Sequence, residues 1–293
     1  DGSLMKVCVL GSGGLLGHML IRILSESHDV YGTTREKASK DSLLARFLPL
    51  EKWIGEVDAM EPSSIESVFE KSQFDVVINC IGLIKQRSDQ VDDRLMMSIN
   101  GEFPHQLAKF ANSSGARVIQ ISTDCVFSGN KGNYVETDTP DPVDTYGRSK
   151  LLGELNDSTN LTIRTSHIGR ELSVKKSFVE WLLSQRNGRI SGFSGAIYSG
   201  LTTKELAKVI GNLVPTETSL SGLFHVSSEA ISKLEIINKL NKLLDLNIEV
   251  VEDETVRINR SLNSHRFQTA TNIFAPKWDL MLKELCADQA AYV

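Results

Sequence analysis

The sequence predicts an α/β protein in which a doubly wound parallel sheet is followed by a smaller C-terminal α/β lobe, and three observations carry that expectation. Short runs rich in valine, isoleucine and leucine alternate with stretches of helical periodicity through residues 5–165, the order in which strands and crossover helices build a parallel sheet. Glycines 11, 14 and 17 follow at once on the first apolar run, which reads as strand, tight turn and helix. The runs at 76–80 and 118–122 are nearly continuous in apolar residues rather than alternating, as strands covered by helices on both faces must be.

Taken in order, strands are expected at 6–10, 30–33, around Val57, 76–80, 118–122 and 161–164. The segment 222–228 reads as one more strand, added to the same sheet after an excursion. Amphipathic helix is expected at 173–189 and 231–246, with a short strand at 248–251. Residues 5–165 form the expected dinucleotide-binding domain, and 166–293 mainly a substrate-binding lobe over the strand ends. Neither a low-complexity linker nor an internal repeat divides the chain. With 293 residues, 41% of them hydrophobic, it can bury a large core. Residues 1–4, ahead of Met5, read as an added leader outside the fold.

The chemistry starts at the glycine turn. Gly11, Gly13, Gly14, Leu15, Leu16 and Gly17 form a segment in which the backbone turns sharply, approaches a pyrophosphate and packs helix on strand, while free amides at the helix start face the anion. The strand at 118–122 delivers Ser122, Thr123, Asp124 and Cys125 at its C-terminal end, the end where open parallel sheets bind ligands. Tyr146 and Lys150 are four residues apart, one helical turn, and share a face. A free phenol has a pKa of about 10. Proton exchange with an alcohol near neutral pH therefore calls for a neighbouring cation that stabilises the phenolate, and Lys150 is spaced to be that cation. Thr123 is suited to hold a carbonyl beside the phenol. After the second strand, where an acidic residue would bind the ribose 2′-hydroxyl of NAD, the chain carries Thr34 and Arg35. A guanidinium forks onto phosphate oxygens, so NADP(H) is favoured over NAD(H).

Together these residues resemble the extended short-chain dehydrogenase/reductase family. The segments 122–129, Ser-Thr-Asp-Cys-Val-Phe-Ser-Gly, 134–140, Tyr-Val-Glu-Thr-Asp-Thr-Pro, and 146–154, Tyr-Gly-Arg-Ser-Lys-Leu-Leu-Gly-Glu, look most like its dTDP-4-dehydrorhamnose reductase branch. The resemblance implies a Rossmann fold with Thr123, Tyr146 and Lys150 as the catalytic group and Asn100 supporting the lysine through water. It further implies that Cys80, Ile81 and Gly82 pass under the nicotinamide ribose and that Asp58 contacts the adenine. The implied reaction is NADPH-dependent reduction of the C4 keto group of a nucleotide-linked 4-keto-6-deoxy sugar, in polysaccharide precursor synthesis. Cys125 stands where the family's dehydratases carry a glutamate, and a thiol is a poor substitute for that acid. Two readings stay open beside the reductase: an epimerase or epimerase-reductase of the same family, and a non-catalytic NADP-binding subunit resembling the methionine adenosyltransferase β subunit. The chain departs from the rhamnose enzymes at Arg260-Ser261, where they have Arg-Pro, and at Lys85 and Arg87, so the sugar or base differs or stays open.

On the substrate side, Asp124, Cys125, Phe178, Trp181 and Arg260, with Arg170 and Arg266, are candidates to contact an anionic, aromatic nucleotide. A net charge of −5 argues against nucleic-acid binding. No apolar run approaches about 18 residues, so no membrane span and a cytoplasmic protein are expected. Cys8, Cys80, Cys125 and Cys286 are widely spaced, which disfavours a disulfide framework or zinc site, and no clustered carboxylates call for a metal. The resemblance also allows a homodimer formed through helices.

Overall fold

The computed structural model describes residues 4–84, 92–215 and 220–292; Lys85 and Arg87 lie outside them. Strands β1 (Lys6–Leu10), β2 (Asp29–Thr33), β3 (Trp53–Ile54), β4 (Val76–Asn79), β5 (Arg117–Thr123) and β6 (Leu161–Thr165) are followed by β7 (His167–Ile168), β8 (Arg189–Phe193), β9 (Ala196–Tyr198), β10 (Leu201–Thr202) and β11 (Gly222–His225). β12 (Ile231–Ser232), β13 (Glu249–Asp253) and β14 (Ile258–Asn259) complete the described strands. The helices are α1 (Gly17–Leu24), α2 (Pro62–Lys71), α3 (Asp93–Met97), α4 (Phe103–Ser113), α5 (Thr145–Leu152), α6 (Phe178–Ser184), α7 (Thr203–Leu213), α8 (Lys233–Leu243), α9 (His265–Thr271) and α10 (Trp278–Ala287).

Seven strands form one sheet in the order β11-β6-β5-β4-β1-β2-β3, all parallel. The doubly wound fold expected from the apolar runs is therefore present, with the segment beginning at Gly222 joining beside β6 as anticipated. Successive side chains of a strand point to opposite faces. Val7, Val9, Val76, Ile78, Ile119 and Ile121 accordingly pack with Leu20, Ile21, Leu206 and Ile210 of α1 and α7. Cys8, Leu10, Val77 and Val118 pack with Ile65, Val68, Phe103 and Leu107 of α2 and α4. Burial on both faces is what made the central strands read as continuous apolar runs.

Several elements differ from the expectation, α9, α10 and the short strands β7–β10, β12 and β14 among them, and three of the differences carry a local signal. β3 lies at Trp53–Ile54 rather than at Val57 because Glu56 takes a left-handed φ of 62° and breaks the strand. Val57 still donates its amide to the Thr34 carbonyl at 3.0 Å. α6 covers only Phe178–Ser184, since Lys175 (φ 50°) and Asn187 (φ 59°) turn the chain on either side. α7 was not anticipated at all. Its signal was Thr202, whose side chain accepts from the Glu205 amide as an N-cap. No helix of the described residues is long and apolar enough to cross a membrane.

The smaller elements sit beyond the strand ends as a parallel pair β7/β10, a parallel pair β8/β13 and a three-stranded sheet β12-β9-β14. At the carboxyl ends of the large sheet, β1 is flanked by β2 and β4, so the connections leave in opposite directions and open a crevice between them.

Candidate active site

The turn after β1 reverses at Gly11, φ 77°, a left-handed conformation that glycine adopts without steric cost. The Gly11 amide donates to Thr33 Oγ1 at 3.3 Å, and Ser12 donates both its amide (2.9 Å) and its hydroxyl (2.7 Å) to the Thr33 carbonyl, lacing the turn to β2. A β-carbon at Gly17 would overlap the carbonyl oxygen of Gly11, so glycine is what lets α1 start this close to the strand. No side chain caps α1, and the amides of Leu15 and Leu16 have no partner among the described residues. Such amides form an anion site, which fits the pyrophosphate of a dinucleotide.

Behind this turn the buried His18 contacts the Gly14 carbonyl through Nδ1 and the Tyr292 hydroxyl through Nε2, each at 2.8 Å. A carbonyl only accepts, so Nδ1 carries the proton and Tyr292 donates to Nε2. Burial pushes the imidazole below its ordinary range, consistent with this neutral form.

A cleft of about 460 Å³ opens at the strand ends and gathers Leu15, Leu16, Cys80, Ile81, Gly82, Ser122, Thr123, Asp124, Cys125, Tyr146, Lys150 and Arg260. Asp144 caps α5 by accepting from the Gly147 amide at 2.8 Å. The first turn of α5 lies against the segment following β5, where a β-carbon at Gly147 would overlap the Cys125 carbonyl. This close approach sets the half-buried Tyr146 beside Thr123 on the cleft lining, where the Thr123 hydroxyl acts on the phenol. Thr123 also accepts from the Cys125 amide (3.1 Å) and lies 3.2 Å from Asp124 Oδ1.

Burial pushes the Tyr146 phenol well above its ordinary range, and the neighbouring Cys125 and Asp124 act in the same direction, while Thr123 opposes them. Lys150 is buried and donates to the Ile121 carbonyl at 2.6 Å. Burial holds its ammonium down to about 8, against opposing contributions from Cys80 and Glu154. The expected lowering of the phenol by Lys150 is not found in this geometry. The lysine is turned to the β5 backbone, and desolvation governs the tyrosine.

Asn100 lies in a π-helical turn, Ser98–Glu102, between α3 and α4. Its Oδ1 accepts from the Leu83 amide (2.8 Å), and its Nδ2 donates to the Leu83 carbonyl (2.9 Å) and to Ser149 Oγ (3.1 Å). Ser149 in turn donates to the Tyr146 carbonyl at 2.8 Å. Asn100 therefore fastens the segment after β4 to α5. Asp124 is buried, which pushes its carboxyl up, and Arg260 opposes that shift. The Arg260 guanidinium donates from Nε to the Phe127 carbonyl at 2.9 Å and lies 3.7 Å from Cys125 Sγ through Nη1. Burial, with the nearby Asp124, pushes the Cys125 thiol to about 12, so it stays protonated.

Several candidates lie off the cleft lining. Thr34 donates to the Glu36 carbonyl (2.8 Å) and accepts from the Trp53 indole (2.7 Å), so its hydroxyl proton is engaged, whereas the adjacent Arg35 is exposed. Asp58 accepts from the Met60 amide at 2.9 Å in the turn before α2. Phe178 and Trp181 pair with ring centroids 6.1 Å apart, and Trp181 is 41% exposed rather than packed in the core. Among residues to which no role had been given, Ser149 joins Asn100 to Tyr146, and Glu154 accepts from Ser122 Oγ at 2.7 Å while pairing with the buried Arg164. Glu154 closes the Tyr-Gly-Arg-Ser-Lys-Leu-Leu-Gly-Glu segment, which was the available signal.

Known proteins share sequence and fold with this chain. The dTDP-4-dehydrorhamnose reductase of Burkholderia thailandensis is 31% identical over 56% of this chain and 50% of its own length. The spore coat polysaccharide biosynthesis protein SpsK of Bacillus subtilis is 28% identical over 98% of both chains. The crystal structure of Bacillus anthracis dTDP-4-dehydrorhamnose reductase in complex with NADP has the same fold, with a TM-score of 0.80, 23% identity, and coverage of 97% of this chain and 99% of that one. The expected resemblance to this reductase branch holds, and the enzyme class that goes with it, oxidoreductases of nucleotide sugars, is the one its reductase relatives carry. The RmlD substrate binding domain family matches residues 5–290, the dinucleotide crevice and the C-terminal elements together, and this chain belongs to that family.

Proposed function

We propose that this protein is an NADPH-dependent reductase of the C4 keto group of a nucleotide-linked 4-keto-6-deoxy sugar. The observation that carries the reading is the convergence of Thr123 and Tyr146 on one cleft with the open amides of the glycine turn. NADPH, when bound, supplies the hydride. The amides of Leu15 and Leu16 would hold its pyrophosphate, Lys150 and the Cys80–Gly82 segment its nicotinamide ribose, Asp58 its adenine and Arg35 its 2′-phosphate.

Thr123 orients the substrate carbonyl by hydrogen bonding, and Tyr146 donates its proton to the oxygen that gains charge. A phenol pushed up by burial remains protonated at neutral pH, the state an acid needs in the reducing direction. Asp124 and Arg260 flank this position and are assigned to sugar contacts, with Cys125 as a protonated neighbour. Phe178 and Trp181 are assigned to the nucleotide end, where the exposed Trp181 ring, backed by the half-buried Phe178, suits a base. A cytoplasmic enzyme of polysaccharide precursor synthesis, with a homodimer as its assembly, accords with this reading.

The test is NADPH consumption at a fixed protein concentration with dTDP- and UDP-4-keto-6-deoxy sugars side by side. Tyr146→Phe should lose at least about 100-fold in turnover. Product formed without net NADPH loss would point to epimerisation, and NADPH binding without turnover of either sugar would point to a regulatory subunit.

A further inference from the structure

The three-stranded sheet β12-β9-β14 places a second phenol beside the site. Tyr198 closes β9 and pairs with Ile231 of β12 on one side. On the other side β14 runs parallel to β9, with Ile258 opposite Ala196 and Asn259 opposite Ile197. The next step of that register sets Tyr198 beside Arg260, whose amide donates to the Ile197 carbonyl at 3.0 Å. Partners across a ladder share a face, and Arg260 lines the cleft at Cys125.

The Tyr198 side chain is 9% exposed and its ring lies 5.6 Å from that of Trp278. Its hydroxyl is enclosed and has no hydrogen-bond partner among the described residues. Asp124 acts on this phenol and, together with burial, pushes it well above its ordinary range. Phenylalanine would pack against Trp278 equally well, and the hydroxyl of Tyr198, without a partner, only destabilises the free protein. Tyr198 is not among the residues that line the cleft, so contact between its hydroxyl and a bound ligand requires the adjoining wall to move.

We propose that Tyr198 is a specificity-determining residue of the substrate subsite, its phenol hydrogen-bonding a ring hydroxyl of the sugar held between Asp124 and Arg260. This rests on the reading of the site as a nucleotide-sugar reductase. Removing a group that hydrogen-bonds only in the complex should weaken the complex and spare the free protein.

The experiment compares wild type with Tyr198→Phe. With dTDP- or UDP-4-keto-6-deoxy sugar as substrate, the expected result is a KM about tenfold higher for the sugar nucleotide. The KM for NADPH, inhibition by dTDP or UDP lacking a sugar, and the melting temperature should not worsen. An unchanged sugar KM overturns the proposal while leaving the reductase reading intact. So does a lower melting temperature with equal losses for sugar-bearing and sugar-free nucleotides, which marks a structural tyrosine. If wild type reduces neither sugar, the reductase reading fails, and calorimetry with dTDP-glucose and UDP-glucose against dTDP and UDP decides Tyr198 separately. A loss confined to the sugar-bearing ligands supports its role; equal binding by both proteins, or no binding by wild type, overturns it.

Discussion

Gly147 lies directly against the carbonyl of Cys125, with no room for a β-carbon between them. This contact sets how closely α5 docks on the end of β5, and hence where Tyr146 stands relative to Thr123. The obstructing atom is backbone and cannot rotate aside.

Gly147→Ala should therefore displace α5, which carries the proposed acid Tyr146, at a stability cost of about 1–3 kcal/mol. Misplacement of a reacting group by about 1 Å lowers turnover about 100-fold. Steady-state kinetics of the variant should show that loss in kcat with little change in the KM for NADPH. Wild-type turnover would remove the contact from the account.

Lys150 gives the enzyme a pH dependence. Its ammonium is depressed from 10.5 to about 8 by burial, so if the charged form holds the ribose, kcat/KM should be flat below that pH and fall about tenfold per unit above it. For stability the sign is opposite. The unfolded chain binds more protons than the folded one between about 8 and 10.5, so stability rises with pH across that window and is lost again as pH falls through 8. Thermal melts of Lys150→Met against wild type should show the rise in wild type and a flatter profile in the variant.

Arg35 is exposed and has no ion-pair partner among the described residues. A charge-assisted hydrogen bond to phosphate contributes about 1.5–3 kcal/mol. Arg35→Ala should raise the KM for NADPH by at least about tenfold and leave that for NADH within about threefold. Equal shifts for both cofactors would assign Arg35 to the fold instead.

Glu154 and Arg164 form a bidentate pair at 2.7 and 2.8 Å, with side chains only 8% and 3% exposed. Removing one partner strands a buried charge and costs about 3–5 kcal/mol. Glu154→Gln should therefore melt roughly 10 °C below wild type. Glu154→Gln combined with Arg164→Met should recover part of that loss, because no charge is then left unpaired. A double variant less stable than the single one would contradict this account.

Local pattern determined much of this protein. The alternation of apolar runs and helices specified the parallel sheet, the glycine turn announced the tight turn between β1 and α1, and one helical turn between Tyr146 and Lys150 set both on the lining of one cleft. These features follow from backbone sterics and from periods of two and 3.6 residues, which short stretches of sequence carry in full. Tertiary structure decided the rest. Lys150 turns to Ile121 rather than toward the phenol, burial holds Tyr146 protonated, and Thr34 spends its hydroxyl on Glu36 and Trp53. His18 meets Tyr292 across almost the whole chain, and Tyr198 comes to Arg260 only through the register of a small sheet. Each of these depends on desolvation or on partners far apart in sequence, and neither quantity is encoded in the spacing of neighbouring residues.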